Sequence, residues 1–201
     1  MDTLGHDELP LFPLGTVLFP GNTLPLRIFE PRYVDLIGRC MRDGTGFGVV
    51  GILEGREAGG IALPHMTGTS AHIIDFDRGG DGLLNVVIRG ASRFRILGTR
   101  RLADNLLVAE VLTLADIDNV PAPADFRGLR DLLAEILAKV PTGDDALSVP
   151  TDSAELAYAL VQYLPLSIPT KVSLLEVDEP IELLIRLSNE LRQLHQNTQE
   201  D

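Results

Sequence analysis

The sequence predicts an α+β chain: a mostly antiparallel β-sheet curled into a pseudo-barrel, with one early helix, followed by a C-terminal helical lobe. Three observations carry this. The apolar period is two across residues 47–114 and becomes helical beyond residue 125. Glycine turns punctuate the first part, and a stretch holding Asp116, Asp118, Pro121 and Pro123 separates the two. The opening, residues 9–33, sets five prolines (Pro10, Pro13, Pro20, Pro25, Pro31) among apolar residues. The expected organisation is a loose terminus at 1–8, a β-rich lobe at 9–114, a linker at 115–124, a helical lobe at 125–194 and a disordered tail at 195–201.

Each element follows from local chemistry. Proline gives no N–H to a ladder, so the opening is read as two short edge or rim strands rather than a central one. Gly21-Asn22 supplies the turn between them. In the second strand Leu24, Leu26 and Ile28 face one way and Pro25, Arg27 and Phe29 the other. Glu30-Pro31 opens a helix, because proline suits the first helical position. Tyr33, Leu36, Ile37 and Cys40 form its apolar stripe, and Gly44 fits a left-handed cap. Cys40 on that stripe reads as a small buried apolar residue rather than a reactive thiol.

Strands are then expected at 47–53, 69–77, 84–89, 93–97 and 106–114. A glycine-rich loop follows the first, and Arg78-Gly79-Gly80-Asp81-Gly82 closes a hairpin. Beyond the linker, Phe126, Leu129, Leu133, Ile136, Leu137 and Val140 make one helical stripe, stopped by Pro141. Asp152 with Glu155 makes a capping-box start, and Leu156, Leu160, Tyr163 and Leu164 follow. A short helix is expected at 170–176. Asp178 precedes a last one with Pro180 in its first turn.

A chain of 201 residues can bury roughly 70% of its unfolded surface. Its net charge of −12 argues against a nucleic-acid partner, which needs a basic face. A single cysteine excludes an internal disulfide or a multi-cysteine metal site. The first residues show no basic segment followed by an apolar run, and no stretch approaches about 18 apolar residues. A cytoplasmic protein without a membrane span is therefore expected.

Several motifs together resemble a known family. They are Leu9-Pro10-Leu11-Phe12-Pro13-Leu14, Val17-Leu18-Phe19-Pro20-Gly21 and Leu26-Arg27-Ile28-Phe29-Glu30-Pro31-Arg32-Tyr33. Phe47-Gly48-Val49-Val50, Gly68-Thr69, Asp81-Gly82-Leu83-Leu84-Asn85-Val86 and Gly90 with Arg93-Phe94-Arg95-Ile96 follow in order. The set is similar to the N-terminal, substrate-binding domain of the ATP-dependent protease Lon, in the form that occurs as a short free-standing protein. The resemblance implies a PUA-like β lobe and a role in binding proteins, not a reaction. A similar domain serves as the partner-binding part of cereblon.

The residues themselves supply little catalytic chemistry. The chain has no G-x-x-x-x-G-K-[ST] phosphate loop, and its lysines are Lys139 and Lys171 alone. Lys171 and Ser173 stand at i and i+2, which point to different sides of a helix and cannot readily share a proton. Asp75 and Asp77 share a strand face that His72 does not, so a metal site is not expected. Gly68-Thr69-Ser70-Ala71-His72 lacks the closing glycine of a nucleophile elbow. Arg89, Arg93, Arg95, Arg100 and Arg101 form the one basic concentration, read as intramolecular pairing or partner-rim contacts. Pro20, Arg27, Phe29, Glu30, Pro31, Arg32 and Tyr33 are read as a structural motif, with Arg27, Glu30 and Arg32 an ion-pair network locking the first helix to the barrel.

The expected function is a non-catalytic protein-binding module, without cofactor or metal, for apolar protein segments or a specific partner; a homo-oligomer is compatible with this. Candidate contacts are Ile61 and Leu63 on the loop at 54–65, with Arg93 and Arg95 at a rim. The alternatives are a peptidase-associated hydrolase subunit and a PUA-like RNA binder.

Overall fold

A computed structural model describes residues 7–55, 62–118, 120–140 and 148–199. The chain divides into two compact units, Met1–Ala115 with Ile168–Leu175, and Asp116–Ser167 with Glu176–Asp201.

The first unit is built on six strands: β1 (Asp7–Leu14), β2 (Thr23–Ile28), β3 (Phe47–Glu54), β4 (Leu63–Arg78), β5 (Leu84–Arg101) and β6 (Leu107–Thr113). Their order is β2-β5-β4-β3-β1-β6, and a further β5–β6 pairing closes β5, β4, β3, β1 and β6 into a ring. Strand β5 is long enough to serve three neighbours. Its residues 84–89 pair with β2, 84–95 with β4, and 94–101 with β6. All ladders are antiparallel except β1 with β3, whose crossover carries β2 and the helix α1 (Pro31–Asp43). The curled, mostly antiparallel sheet with one early helix is therefore present. The stretches at 84–89 and 93–97 belong to one continuous strand.

Two expectations about the opening change. Strand β1 begins at Asp7, where Asp7 and Glu8 pair with Val111 and Glu110, so these two residues are not loose. Moreover, β1 lies between β6 and β3 despite Pro10 and Pro13. The ladders are staggered: residues 7–11 pair with β6 and 11–14 with β3. Only Leu11 has a neighbour on both sides, so each proline can turn its donor-less nitrogen toward an unpaired edge. Strand β2 is an edge strand, as its Pro25 requires.

Among the described residues, buried side chains cluster on both faces of β1 and β3. Phe12, Phe47 and Val49 pack with the Tyr33, Leu36, Ile37 and Cys40 stripe of α1. Leu11, Val50, Phe94, Ile96 and Val111 fill the other. Pro31 occupies the first turn of α1, and Gly44 closes it at φ 65° with its N–H on the Cys40 carbonyl. Burial pushes the Cys40 thiol up in pKa, which keeps it protonated and unreactive.

The 3₁₀ turn Ala124–Phe126 and helices α2 (Arg127–Leu137), α3 (Ser153–Tyr163) and α5 (Pro180–Gln199) belong to the second unit. The Asp152 carboxylate accepts from the Ala154 and Glu155 N–H groups and so caps α3. Helix α4 (Ile168–Leu175) groups with the sheet instead of with the helical lobe at 125–194 where the sequence placed it. It packs on β3 and β4. Helix α5 continues to Gln199, past the residue 195 boundary expected for a disordered tail. No helix among the described residues is long and apolar enough to cross a membrane.

Candidate functional site

The surface that stands out is the free face of β2, β5 and β4 near their hairpin end. Register places Pro25 beside Val87 and Val87 beside Asp75, with Arg27, Asn85 and Asp77 in the next row. Strand alternation turns Val86 and Ile28 into the core and leaves Pro25 and Arg27 exposed. A bulge between Ile73 and Asp75 breaks the alternation on β4, and Phe76 ends 58% exposed. Pro25, Phe76 and Val87 with Asp75 and Asp77 line a concavity of about 260 Å³.

The turn that ends this hairpin is held chemically. Gly82 takes φ 81°, the Gly79 N–H reaches the Leu83 carbonyl at 2.9 Å, and the Asp81 carboxylate accepts the Leu83 N–H at 3.1 Å. Asp81 also pairs with Arg27 and so ties β2 to the turn. These contacts hold the Asp81 carboxyl below its usual pKa, the Leu83 N–H being the largest cause. With Arg27 so engaged, the charge bordering the concavity is that of Asp75 and Asp77.

The residues expected from sequence are scattered. Ile61 lies outside the described residues. Leu63 is 52% exposed, opposite Glu54. Arg93 is not at a rim: it is 3% exposed and donates to the carbonyls of Leu175 at 3.0 Å and Ala115 at 2.8 Å. Those carbonyls are the last of each segment of the first unit, so one guanidinium holds both points where the chain leaves it. Arg95 is exposed, in register with Thr67 and Leu112. Arg100 binds the Glu8 carboxylate with both Nε and Nη2, and Arg101 donates to the Ala62 carbonyl.

The helix-start motif is divided. Arg32 pairs with Glu30 at 2.8 Å, lies 4.7 Å over the Tyr33 ring and donates to the Asn105 carbonyl. Tyr33 in turn stacks on Phe12 at 3.9 Å. Arg27 is not in that network, since it goes to Asp81. Glu30 stands at the N-cap without a side-chain capping bond. Pro20 is half-buried, and Phe29 is 59% exposed beside the motif. Among the described residues no three potential ligands cluster as a metal site. The bulge also corrects one expectation: His72, in register with Arg89, shares the strand face of Asp75 and Asp77, in register with Val87 and Asn85.

The comparisons with known proteins agree with this architecture. The model of the ATP-dependent protease La (LON) substrate-binding domain matches residues 8–193. The chain belongs to that family. The Lon protease of Anaeromyxobacter dehalogenans is 26% identical over 92% of this chain and 23% of the protease. Cereblon of Xenopus tropicalis is 34% identical over 54% of the chain and 24% of cereblon. A solved Lon N-terminal domain protein from Xanthomonas campestris is 36% identical at a TM-score of 0.76, covering 91% of this chain and 98% of that one. The chain thus spans about a quarter of the length of the Lon protease it matches, in the substrate-binding domain of that family.

Sequence reasoning missed Pro25, Phe76 and Val87. A signal was present. Val87 interrupts a polar face between Asn85 and Arg89, and Phe76 sits between two aspartates; both are apolar residues out of phase with the buried set.

Proposed function

We propose that the first unit binds exposed apolar segments of other polypeptides on the Pro25–Val87–Phe76 surface, without cleaving them. The observation that carries this reading is the concavity lined by Pro25 and Val87 and bordered by Asp75 and Asp77, with the exposed Phe76, in register with Val86, at the adjoining strand edge. Apolar contact of this kind supplies affinity, and the polar border supplies orientation. Membership in a substrate-binding family supports it.

The chemistry of the remaining groups points the same way. The Ser173 hydroxyl donates to the Thr170 carbonyl at 2.8 Å, a local helix bond that does not involve Lys171. Burial lowers the Lys171 pKa, but no nucleophile is hydrogen-bonded to it among the described contacts. Three of the five clustered arginines, Arg93, Arg100 and Arg101, have intramolecular partners, which favours a protein partner over RNA.

Phe76→Ser combined with Val87→Ser tests the site. Capture of a fluorescent, chemically unfolded reporter protein is expected to weaken at least about tenfold, with the thermal midpoint moving by no more than roughly 4 °C. Undiminished capture by the folded double variant overturns the assignment. Purified protein is expected neither to turn over ATP nor to degrade casein. Activity that vanishes on Ser173→Ala or Lys171→Ala overturns the non-catalytic reading.

A further inference from the structure

A second feature lies around the corner from that face. The β3–β4 ladder ends at Phe47 opposite Ala71, so from His72 to Arg78 the ladder of β4 is with β5 alone. Among the described residues its other edge has no strand partner. Alongside it run the end of α1, with Cys40 and Met41, and the cap residues Gly44 and Thr45. Between helix end and strand edge lies a groove of about 300 Å³, lined also by Ile73, Ile74 and Phe76. Met41, Ile74 and Phe76 are 39%, 47% and 58% exposed.

We propose that this groove accepts an extended polypeptide segment as an added strand along residues 72–78, apolar at alternate positions and carrying a lysine or arginine. The inference rests on the protein-binding reading above and specifies how the backbone of the bound segment is held.

Backbone, side chains and charge each define the occupant. An open strand edge is completed by extended backbone, which can bond to it while alternate side chains enter the groove. One edge group already shows the exchange that binding needs. The Phe76 N–H is met by a side chain, the Asp75 carboxylate at 2.8 Å, which an incoming carbonyl can replace. Met41, Ile74 and Phe76 offer apolar contact to the inward side chains. Among the described residues Asp75 is the one carboxylate lining the groove, with His72 as its other ionisable side chain besides Cys40. The carbonyl end of α1, whose last turn holds Arg42, adds negative potential, and the fixed charge of Asp75 favours a cation. A second copy of this chain is a poor occupant. Edge to edge, it brings Asp75 and Asp77 against their own counterparts on a chain of net charge −12. The bulge at residues 73–75 and these charges make the edge selective, a common protection against indiscriminate pairing.

The test uses the whole protein and a short synthetic peptide that alternates valine and threonine between terminal lysines. Two derivatives carry N-methyl groups on alternate amides, one in each register. Because strand amides alternate in direction, one derivative is expected to lose about tenfold or more in affinity and the other to bind like the parent. Equal behaviour of the two overturns strand addition. Asp75→Asn retains an acceptor for the Phe76 N–H and removes the charge. It is expected to weaken the lysine-flanked peptide about threefold and to leave a serine-flanked one unchanged; equal weakening of both overturns the charge assignment. The unfolded reporter is measured in parallel. Reporter captured with no difference between the N-methyl registers sinks the edge proposal and leaves the protein-binding reading standing. Loss of both removes the reading itself. Self-association by sedimentation that competes with the peptide assigns the edge to a second copy and overturns the proposed occupant.

Discussion

The two halves of the β4–β5 pair differ in what surrounds them, and the difference separates scaffold from surface. In the half nearer β6, the strands belong to a closed ring. Gly68 there has no room for a side chain: an added Cβ falls 2.5 Å from the Val49 carbonyl and 2.6 Å from a Val50 methyl. Thr69, Arg93 and Phe94 are buried in the same half. In the half nearer the turn, the pair projects past the ring, with β2 beside it. An added Cβ at Gly80 meets nothing within 4 Å, and Ile74 and Phe76 remain exposed. Closing a sheet consumes its edges and one apolar face. A hairpin that outruns the closure keeps both, and these are what a protein-binding surface uses.

The largest expected effect tests the closed half. Arg93→Met leaves the Ala115 and Leu175 carbonyls without their donor in a buried place. The loss is expected to reach about 3 kcal/mol or more, read from denaturant unfolding, whereas exposed Arg95→Met should change stability by under about 0.5 kcal/mol. Similar values for the two would erase the distinction between buried clamp and surface arginine. Next in size is Gly68→Ala, expected to cost about 2 kcal/mol by overpacking, against little change for Gly80→Ala. In both ring variants, capture of the unfolded reporter per folded molecule should stay as it was. The projecting half should show the reverse. Phe76→Ser alone is expected to reduce capture several-fold while stability moves by less than about 1 kcal/mol. A fall in capture that merely tracks a fall in stability would place Phe76 with the core.

Much of the scaffold was legible because its signals are local. Pro31 and Gly44 mark the ends of α1, Asp152 marks the start of α3, and the period-two pattern marks the strands. The interior position of β1 was not legible, since it depends on two ladders that overlap at one residue. Arg93 illustrates the limit more sharply. It shares strand parity with Arg95, and nothing nearby distinguishes them. Its carbonyl partners are 22 and 82 residues away in the chain, so its burial follows from tertiary closure alone. The candidate surface was hidden for the same reason. Val87 and Phe76 look like ordinary strand residues until register sets them beside Pro25 and Val86. Ring closure and register are long-range facts, and local chemistry does not encode them.

The smallest expected effect concerns the tip of the projecting hairpin. Asp81 accepts the Leu83 N–H and pairs with Arg27, so its folded pKa lies below its unfolded one. A carboxyl of that kind stabilises the fold above its unfolded pKa and loses the contribution as pH falls through the folded value. The group is exposed, so the consequence for global stability is slight and a site-resolved measurement is needed. In a carboxyl-detected NMR titration, Asp81 should titrate at lower pH than the unfolded chain's aspartates. Arg27→Gln should raise its midpoint without restoring it to the unfolded value, because the Leu83 N–H bond, the largest single cause, remains. An Asp81 midpoint equal to the unfolded value would mean that the turn is not held in solution, and that the hairpin end is not fixed relative to β2. A midpoint restored fully by Arg27→Gln would assign the ordering to the ion pair instead, making the hairpin end sensitive to salt as well as to pH.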